Sequence, residues 1–148
     1  MSKQIKSRKR VKEFAEVYTN EREVKAMCDL IPKETWDNIE STFLEPACGN
    51  GNFLVEIIKR KLKLCKNEKD GLKALESITG IDIQADNYEE SRKRLFKMYL
   101  DNFPEASNFA LLMANAILEN NIIFGDSLKI MAKWEAEQNT QPTQLIFL

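Results

Sequence analysis

The fold is decided by the stretch Phe43-Leu44-Glu45-Pro46-Ala47-Cys48-Gly49-Asn50-Gly51-Asn52-Phe53-Leu54. It begins with a short apolar run that is typical of the end of a buried strand, and it continues through an acid, a proline and two glycines. Apolar residues then recur at helical spacing, at Phe53, Leu54, Ile57, Ile58 and Leu62. The pattern predicts a strand, a tight glycine loop and a helix.

The glycine loop is suited to a small polar ligand. Gly49 and Gly51 lack a β-carbon and can adopt positive φ, so a ligand can approach the backbone and the first amides of the following helix. Dinucleotides, flavins and phosphates use similar loops, but Leu54 stands where the dinucleotide fingerprint has its third glycine. A nicotinamide-dependent oxidoreductase therefore fits the fold class but not this loop. A structural turn without a ligand is the other alternative.

Further strands and helices alternate along the chain and predict the α/β class. Strands are expected over residues 77–83 and 122–124, and in the final Gln144-Leu145-Ile146-Phe147-Leu148. Helices are expected over residues 72–75, 86–102, 109–118 and 128–137, with a turn at Lys69-Asp70-Gly71. Asp82 ends the second strand, where a carboxylate can bind ribose hydroxyls in a doubly wound sheet; a strand-end cap is the alternative.

The string Glu-Pro-Ala-Cys-Gly-x-Gly-x-Phe-Leu resembles the first motif of amino-directed, mainly adenine-specific DNA methyltransferases, which bind S-adenosylmethionine. The resemblance implies a Rossmann-like class I methyltransferase fold, with a truncated parallel sheet of order 3-2-1-4 and flanking helices. It also implies cofactor contacts from an upstream Val17-Tyr18-Thr19, in which Asn20 replaces the usual proline and helix capping is the alternative. The cofactor-binding residues carried over are Tyr18, Thr19, Glu45, Ala47, Gly49, Gly51, Asp82, Ile83, Asp126 and Ser127.

The same resemblance leaves catalysis unassigned. In the family, [Asp/Asn/Ser]-Pro-Pro-[Tyr/Phe] follows the fourth strand and activates the target amino group, whereas this sequence contains no Pro-Pro. We therefore expect a basic, flexible arm over residues 1–12 and a cofactor-binding domain over residues 13–148 that lacks the catalytic and target-recognition half. Such a chain is incomplete for methyl transfer on its own. The alternative is a non-catalytic, methyltransferase-like regulator or inhibitor of a nuclease or restriction-modification complex.

Composition limits the chemistry and the location. The 148 residues, 43% hydrophobic and 30% charged, are ordinary for one globular domain, and neither a membrane helix nor a secretory signal is recognisable, so we expect a cytoplasmic protein. The absence of histidine excludes serine–histidine or cysteine–histidine catalysis and argues against a metal site. The three cysteines show no disulfide or metal spacing, so we expect reduced, buried thiols.

Charged and apolar segments suggest partners. Six basic residues and no acid in residues 1–12 indicate either a DNA-binding arm or a solvated leader. The basic run from Lys59 to Lys69 indicates a phosphate-facing surface or an exposed helix face, and Glu90 and Arg94 are expected to pair on the outer face of their helix. The apolar strand at residues 145–148 would lie at a sheet edge, so a second copy or a partner chain is expected to cover it.

Overall fold

The computed structural model describes residues 20–137 and the backbone of residues 146 and 147. Within this part of the chain, the strands pair in parallel in the spatial order β3-β2-β1-β4. Their bounds are Phe43–Glu45 (β1), Ile78–Asp82 (β2), Ile122–Phe124 (β3) and Ile146–Phe147 (β4). The predicted α/β class, with a parallel sheet and flanking helices, is confirmed.

Helices precede the sheet and connect its strands. In the described residues they are Glu21–Cys28 (α1), Lys33–Trp36 (α2), Asn52–Leu62 (α3), Glu68–Glu76 (α4), Ala85–Asn102 (α5), Asn108–Asn121 (α6) and Ser127–Glu137 (α7). Around the core, α3 packs against α4 and α5, and α6 packs against the same two helices. The glycine loop thus lies between β1 and α3, as the sequence predicts.

Side-chain caps explain where several helices begin. Asn20 accepts a hydrogen bond from the Glu23 amide at the start of α1, and Ser107 caps α6 in the same way. Asn67 accepts from the Asp70 amide, so α4 begins at Glu68, well before the predicted helix. The predicted turn at Lys69-Asp70-Gly71 is therefore wrong.

Gly71 lies within helix α4 because of packing. A β-carbon at this position would come within 2.3 Å of a ring carbon of Phe103. Glycine here lets α4 approach the end of α5, and it does not break the helix.

One hydrophobic core lies between the sheet and the helices. It joins strand residues to α3 and α5, and the Tyr99 hydroxyl within it donates to the Glu68 carbonyl at 2.9 Å. Phe43 and Ile78 belong to this core. Leu44 and Ile81 point to the opposite face of the same strands and are also buried, so both faces of the central strands are covered. The fully buried core side chains include Phe43, Leu54, Ile57, Ile58, Ile78, Leu95 and Tyr99.

The basic run in α3 is not the exposed surface that the sequence suggests. Lys61 is fully buried, and its Nζ donates to the Ile39 carbonyl at 2.8 Å, to Ser77 Oγ at 2.6 Å and to the Ser41 carbonyl. The lysine thereby ties α3 to the segment before β1. For Lys61, both interpretations of the run, phosphate-facing surface and exposed helix face, are wrong.

Arg60, the neighbour of Lys61, is also engaged in internal contacts. Its guanidinium contacts carboxylate oxygens of Asp29 and Glu56, each at 2.8 Å, and it lies 5.0 Å from the centre of the Trp36 ring. These contacts join α1 to α3 and withdraw Arg60 from any phosphate-facing surface.

Cys28, Cys48 and Cys65 are free thiols. Cys28 and Cys48 are buried as predicted, whereas Cys65 is only half-buried. Among the helices of the described residues, none combines the length and the apolar character needed to cross a bilayer.

Candidate functional site

Three acids lie at one edge of the sheet because the strands are parallel. Glu45 is the last residue of β1 and Asp82 the last of β2, while Asp126 follows β3 by two residues. The register pairs Glu45 with Gly80 and Asp82 with Phe124, so the strand ends are adjacent. Ligands of open α/β sheets bind in the crevice outside such carboxyl ends.

The glycine loop continues this edge from β1 into α3. The Cys48 amide donates to the Ile81 carbonyl at 2.8 Å, which extends the pairing of β1 and β2 beyond Glu45. Gly49 and Gly51 have φ of 55° and 91°, in the left-handed region that favours glycine. The amide of Val55 donates to the Gly51 carbonyl at 2.8 Å, which is the first hydrogen bond of helix α3. The N–H groups before Val55 have no acceptor within the helix, as at the start of any α-helix.

Asp82 joins the glycine loop to β2. Its Oδ2 accepts a hydrogen bond from the Gly49 amide at 2.9 Å, and its Oδ1 accepts from the Gln84 amide at 2.7 Å and from Asn87 Nδ2 at 3.3 Å. The side chain is only 9% exposed. The carboxylate is therefore fixed in place by the protein, with its position set by both the loop and the start of α5.

Glu45 has a different environment. It is buried, and Oε1 accepts a hydrogen bond from the Ala47 amide at 3.2 Å. Burial, together with the nearby negative charge of Asp82, raises the pKa of Glu45 to about 7 in spite of that hydrogen bond. The two neighbouring acids therefore differ in their hydrogen bonds, and Glu45 changes charge near neutral pH.

The remaining predicted site residues that the structure describes differ in exposure and in chemistry. Ala47 is exposed, and Ile83 exposes half of its side chain just after Asp82. Asp126 Oδ1 accepts from the Leu128 amide at 3.0 Å, and Ser127 is the first residue of α7. Tyr18 and Thr19 lie outside the described residues.

Helix α5 supplies residues that the sequence prediction missed. Asn87 and Ser91 are fully buried polar side chains, and Arg94 follows on the same helical face. Arg94 Nη1 donates to the Asn50 carbonyl at 2.9 Å and to Asn52 Oδ1 at 2.8 Å, so its predicted place on the outer face is wrong. The spacing of 87, 91 and 94 was the available signal, since it puts three polar residues on one face.

A cleft of about 390 Å³ lies beside the loop, where α1, α3 and α5 meet. Its lining contains both signs of charge, and Arg94 contacts the loop from within it. The residues that line it include Glu21, Asn50, Asn52, Lys59, Glu90 and Arg94.

This arrangement can bind a polar ligand but contains no evident nucleophile. Burial raises the pKa of the Cys48 thiol to about 12, so the thiol next to the loop stays protonated. Within residues 20–137, the acidic and cysteine side chains form no cluster suited to a metal ion. Carboxylates, backbone amides and half-exposed apolar side chains are the groups that the edge offers.

Comparison with known proteins relates part of the chain to a methyltransferase. Over 67 residues the chain is 42% identical to the Type II methyltransferase M.VspI of Vibrio sp. (strain 343). The matched segment is 45% of this chain and 13% of that protein's length. No protein-family model and no solved structure matches the chain.

Proposed function

We propose that the chain binds S-adenosylmethionine at the carboxyl ends of β1, β2 and β3, as the cofactor-binding part of an adenine-directed DNA methyltransferase with a Rossmann-like class I fold. The observation that carries the proposal is the 2.9 Å hydrogen bond from the Gly49 amide to Asp82 Oδ2. This bond joins the two motifs in one structural unit, although 33 positions separate them in the sequence. The partial similarity to a Type II methyltransferase supports it.

The proposed contacts follow the order of the strand ends. Glu45 and the backbone of Ala47, Gly49 and Gly51 hold the methionine part of the cofactor. The carboxylate of Glu45 suits its positive charge. When bound, the cofactor supplies an electrophilic methyl group.

The nucleoside part is proposed to lie over β2 and β3. Asp82 and Ile83 hold the ribose, Asp126 accepts a hydrogen bond from the adenine amino group, and Ser127 flanks the ring. The half-exposed side chain of Ile83 offers an apolar surface for a ring, and the fixed carboxylate of Asp82 suits hydroxyl groups. Tyr18 and Thr19 are proposed to complete the site.

Methyl transfer requires groups that this sequence does not contain. Without a Pro-Pro motif, the chain has no recognisable group to activate a base nitrogen. We propose that DNA binding involves the basic residues 1–12 and that residues 13–148 form the cofactor domain. A non-catalytic regulator of a nuclease or restriction-modification complex is the second candidate, and the missing motif favours it.

Calorimetric titration of the full chain with S-adenosylmethionine tests the proposal. We expect saturable binding, weakened about tenfold or more by Asp82→Asn, because a charged hydrogen-bonding partner is lost. Glu89→Gln, an equal charge change at an exposed position of α5, is the control and should not alter the affinity. Thermal unfolding of each variant checks that it remains folded.

The outcomes separate the candidates. Absence of binding by the parent chain contradicts the proposed cofactor site. Binding followed by transfer of a labelled methyl group to DNA contradicts the claim that the chain is incomplete. Binding without transfer fits both candidates, and addition of a chain that contains the missing motif then distinguishes a methyltransferase part, which gains activity, from a regulator, which does not.

A further inference from the structure

Helix α5 carries a polar face whose side chains are buried or half-buried against the glycine loop. Asn87, Ser91 and Arg94 are spaced by four and three residues, so they share one side of the helix. Asn87 and Ser91 have no exposed surface. Burial of polar groups costs free energy unless hydrogen bonds compensate, so their partners indicate what this face stabilises.

Hydrogen bonds from these three side chains lead to the glycine loop, to the first residue of α3 and to the aspartate that holds the loop. Ser91 Oγ donates to the Gly49 carbonyl at 3.0 Å, and Asn87 Nδ2 donates to Asp82 Oδ1 at 3.3 Å. Arg94 Nη1 donates to the carbonyl of Asn50 at 2.9 Å. Two successive carbonyl groups of the loop are therefore turned towards α5.

This orientation has a consequence for the amides of the loop. In a trans peptide the N–H points opposite to the C=O, so the Asn50 amide is directed away from α5 when Ser91 holds the Gly49 carbonyl. The Gly49 amide is held separately by Asp82. Helix α5 thus decides which backbone groups the loop can offer to a ligand.

Arg94 has a special place in this arrangement because it spans Gly51. One nitrogen, Nη1, donates both to the loop at Asn50 and to Oδ1 of Asn52, the first residue of α3. The guanidinium plane is rigid, so the two acceptors are held at a fixed separation. Gly51, with φ of 91°, is thereby held between them.

We infer that Arg94 is a positioning residue, which holds the glycine loop in the conformation that receives the ligand. The identity of that ligand as S-adenosylmethionine rests on the proposed function. The conformational part of the inference does not, because it concerns the ligand-free chain.

The test compares Arg94→Gln with Arg92→Gln. Arg92 lies on the same helix and loses the same charge, but it contacts Tyr88 and Glu119 and not the loop. Hydrogen–deuterium exchange of the ligand-free variants should show faster exchange of the amides of residues 49–52 in Arg94→Gln only. Unchanged exchange there, or equal changes in both variants, would overturn the inference.

Titration with two ligands distinguishes positioning from a charge effect. S-adenosylmethionine is a cation at its sulfur, whereas its demethylated product S-adenosylhomocysteine lacks that charge. Positioning predicts that Arg94→Gln weakens both ligands by a similar factor, about tenfold or more, since two charged hydrogen bonds are lost. A direct charge effect would instead favour the cation over the product, and that result would also overturn the inference.

The two proposals fail in different ways. If the parent chain binds neither ligand, the proposed function fails and the exchange measurement still decides the role of Arg94. If the parent binds and Arg94→Gln binds equally well, the cofactor site stands and the positioning role is rejected. Arg94→Lys, which keeps the charge but not the planar amino group of Nη1, should restore only part of the protection from exchange.

Discussion

Glu45 is buried at the end of β1, with an Ala47 amide as a hydrogen-bond donor and Asp82 as a charged neighbour. Its pKa is raised from the ordinary value of 4.5 to about 7, chiefly by burial. Between these two pH values, the protonated fraction of Glu45 is larger in the folded chain than in the unfolded chain. The contribution of Glu45 to stability is therefore fully present at low pH and is lost as the pH rises to about 7.

Glu45→Gln should remove this dependence. Relative to the variant, the free energy of unfolding of the parent is expected to fall by about 3 kcal/mol between pH 4.5 and pH 7, and to change little above pH 7. Urea unfolding of both proteins at pH 5, 6, 7 and 8 measures the difference. Glu89→Gln, at an exposed position, is the control. Parallel pH profiles for the parent and Glu45→Gln would contradict the prediction.

The residue that the sequence identified lies at the end of a strand, whereas the residues that it missed lie on helices. Asp82 is the last residue of a β-branched strand, so the position of its backbone at the sheet edge follows from the strand alone. Arg94 and Lys61 lie on helices, where periodicity gives the face but not what the face meets. Charged residues on a helix are usually solvated, yet Lys61 has three internal acceptors and Arg94 has two.

At the scale of elements, the glycine loop depends on α5 as much as on its own sequence. The pair Gly49 and Gly51 could be predicted to need positive φ, because a tight strand-to-helix turn requires it. The close approach of Ser91 could not, since it comes from a helix 40 residues further on: a β-carbon at Gly51 would lie 2.9 Å from Ser91 Oγ. The loop is therefore constrained by backbone conformation and by packing together.

Gly51→Ala separates these two constraints. The positive φ alone should cost about 1–2 kcal/mol for a residue with a β-carbon, and the contact with Ser91 adds to it. Thermal or urea unfolding measures the loss. Ser91→Ala removes the contact at 2.9 Å but also the hydrogen bond to the Gly49 carbonyl, so it is the reference for the double variant. Gly51→Ala should cost less in the Ser91→Ala background than in the parent, while the cost of the positive φ remains. A single variant as stable as the parent would show that the loop tolerates a side chain there.

At the scale of the whole molecule, β4 is an edge strand of the described sheet. β4 pairs with β1 through Phe43 and Leu44, opposite Ile146 and Phe147, and in the described residues no strand follows it in the sheet. Parallel strands at an open edge present backbone groups that can pair with another chain. We therefore propose that a second copy or a partner chain covers residues 145–148.

Light scattering over a wide concentration range tests this edge. If a second copy covers it, the parent mass should rise towards that of a dimer. Leu145→Lys should remain monomeric, because it adds a charge directly before β4 in the sequence and charges oppose edge pairing. Leu64→Lys makes the same change at an exposed site after α3 and should behave like the parent. A dimer that persists in Leu145→Lys would place the contact elsewhere. A parent that stays monomeric at every concentration would exclude self-association through this edge. The remaining candidate would then be a different partner chain, which co-purification could identify.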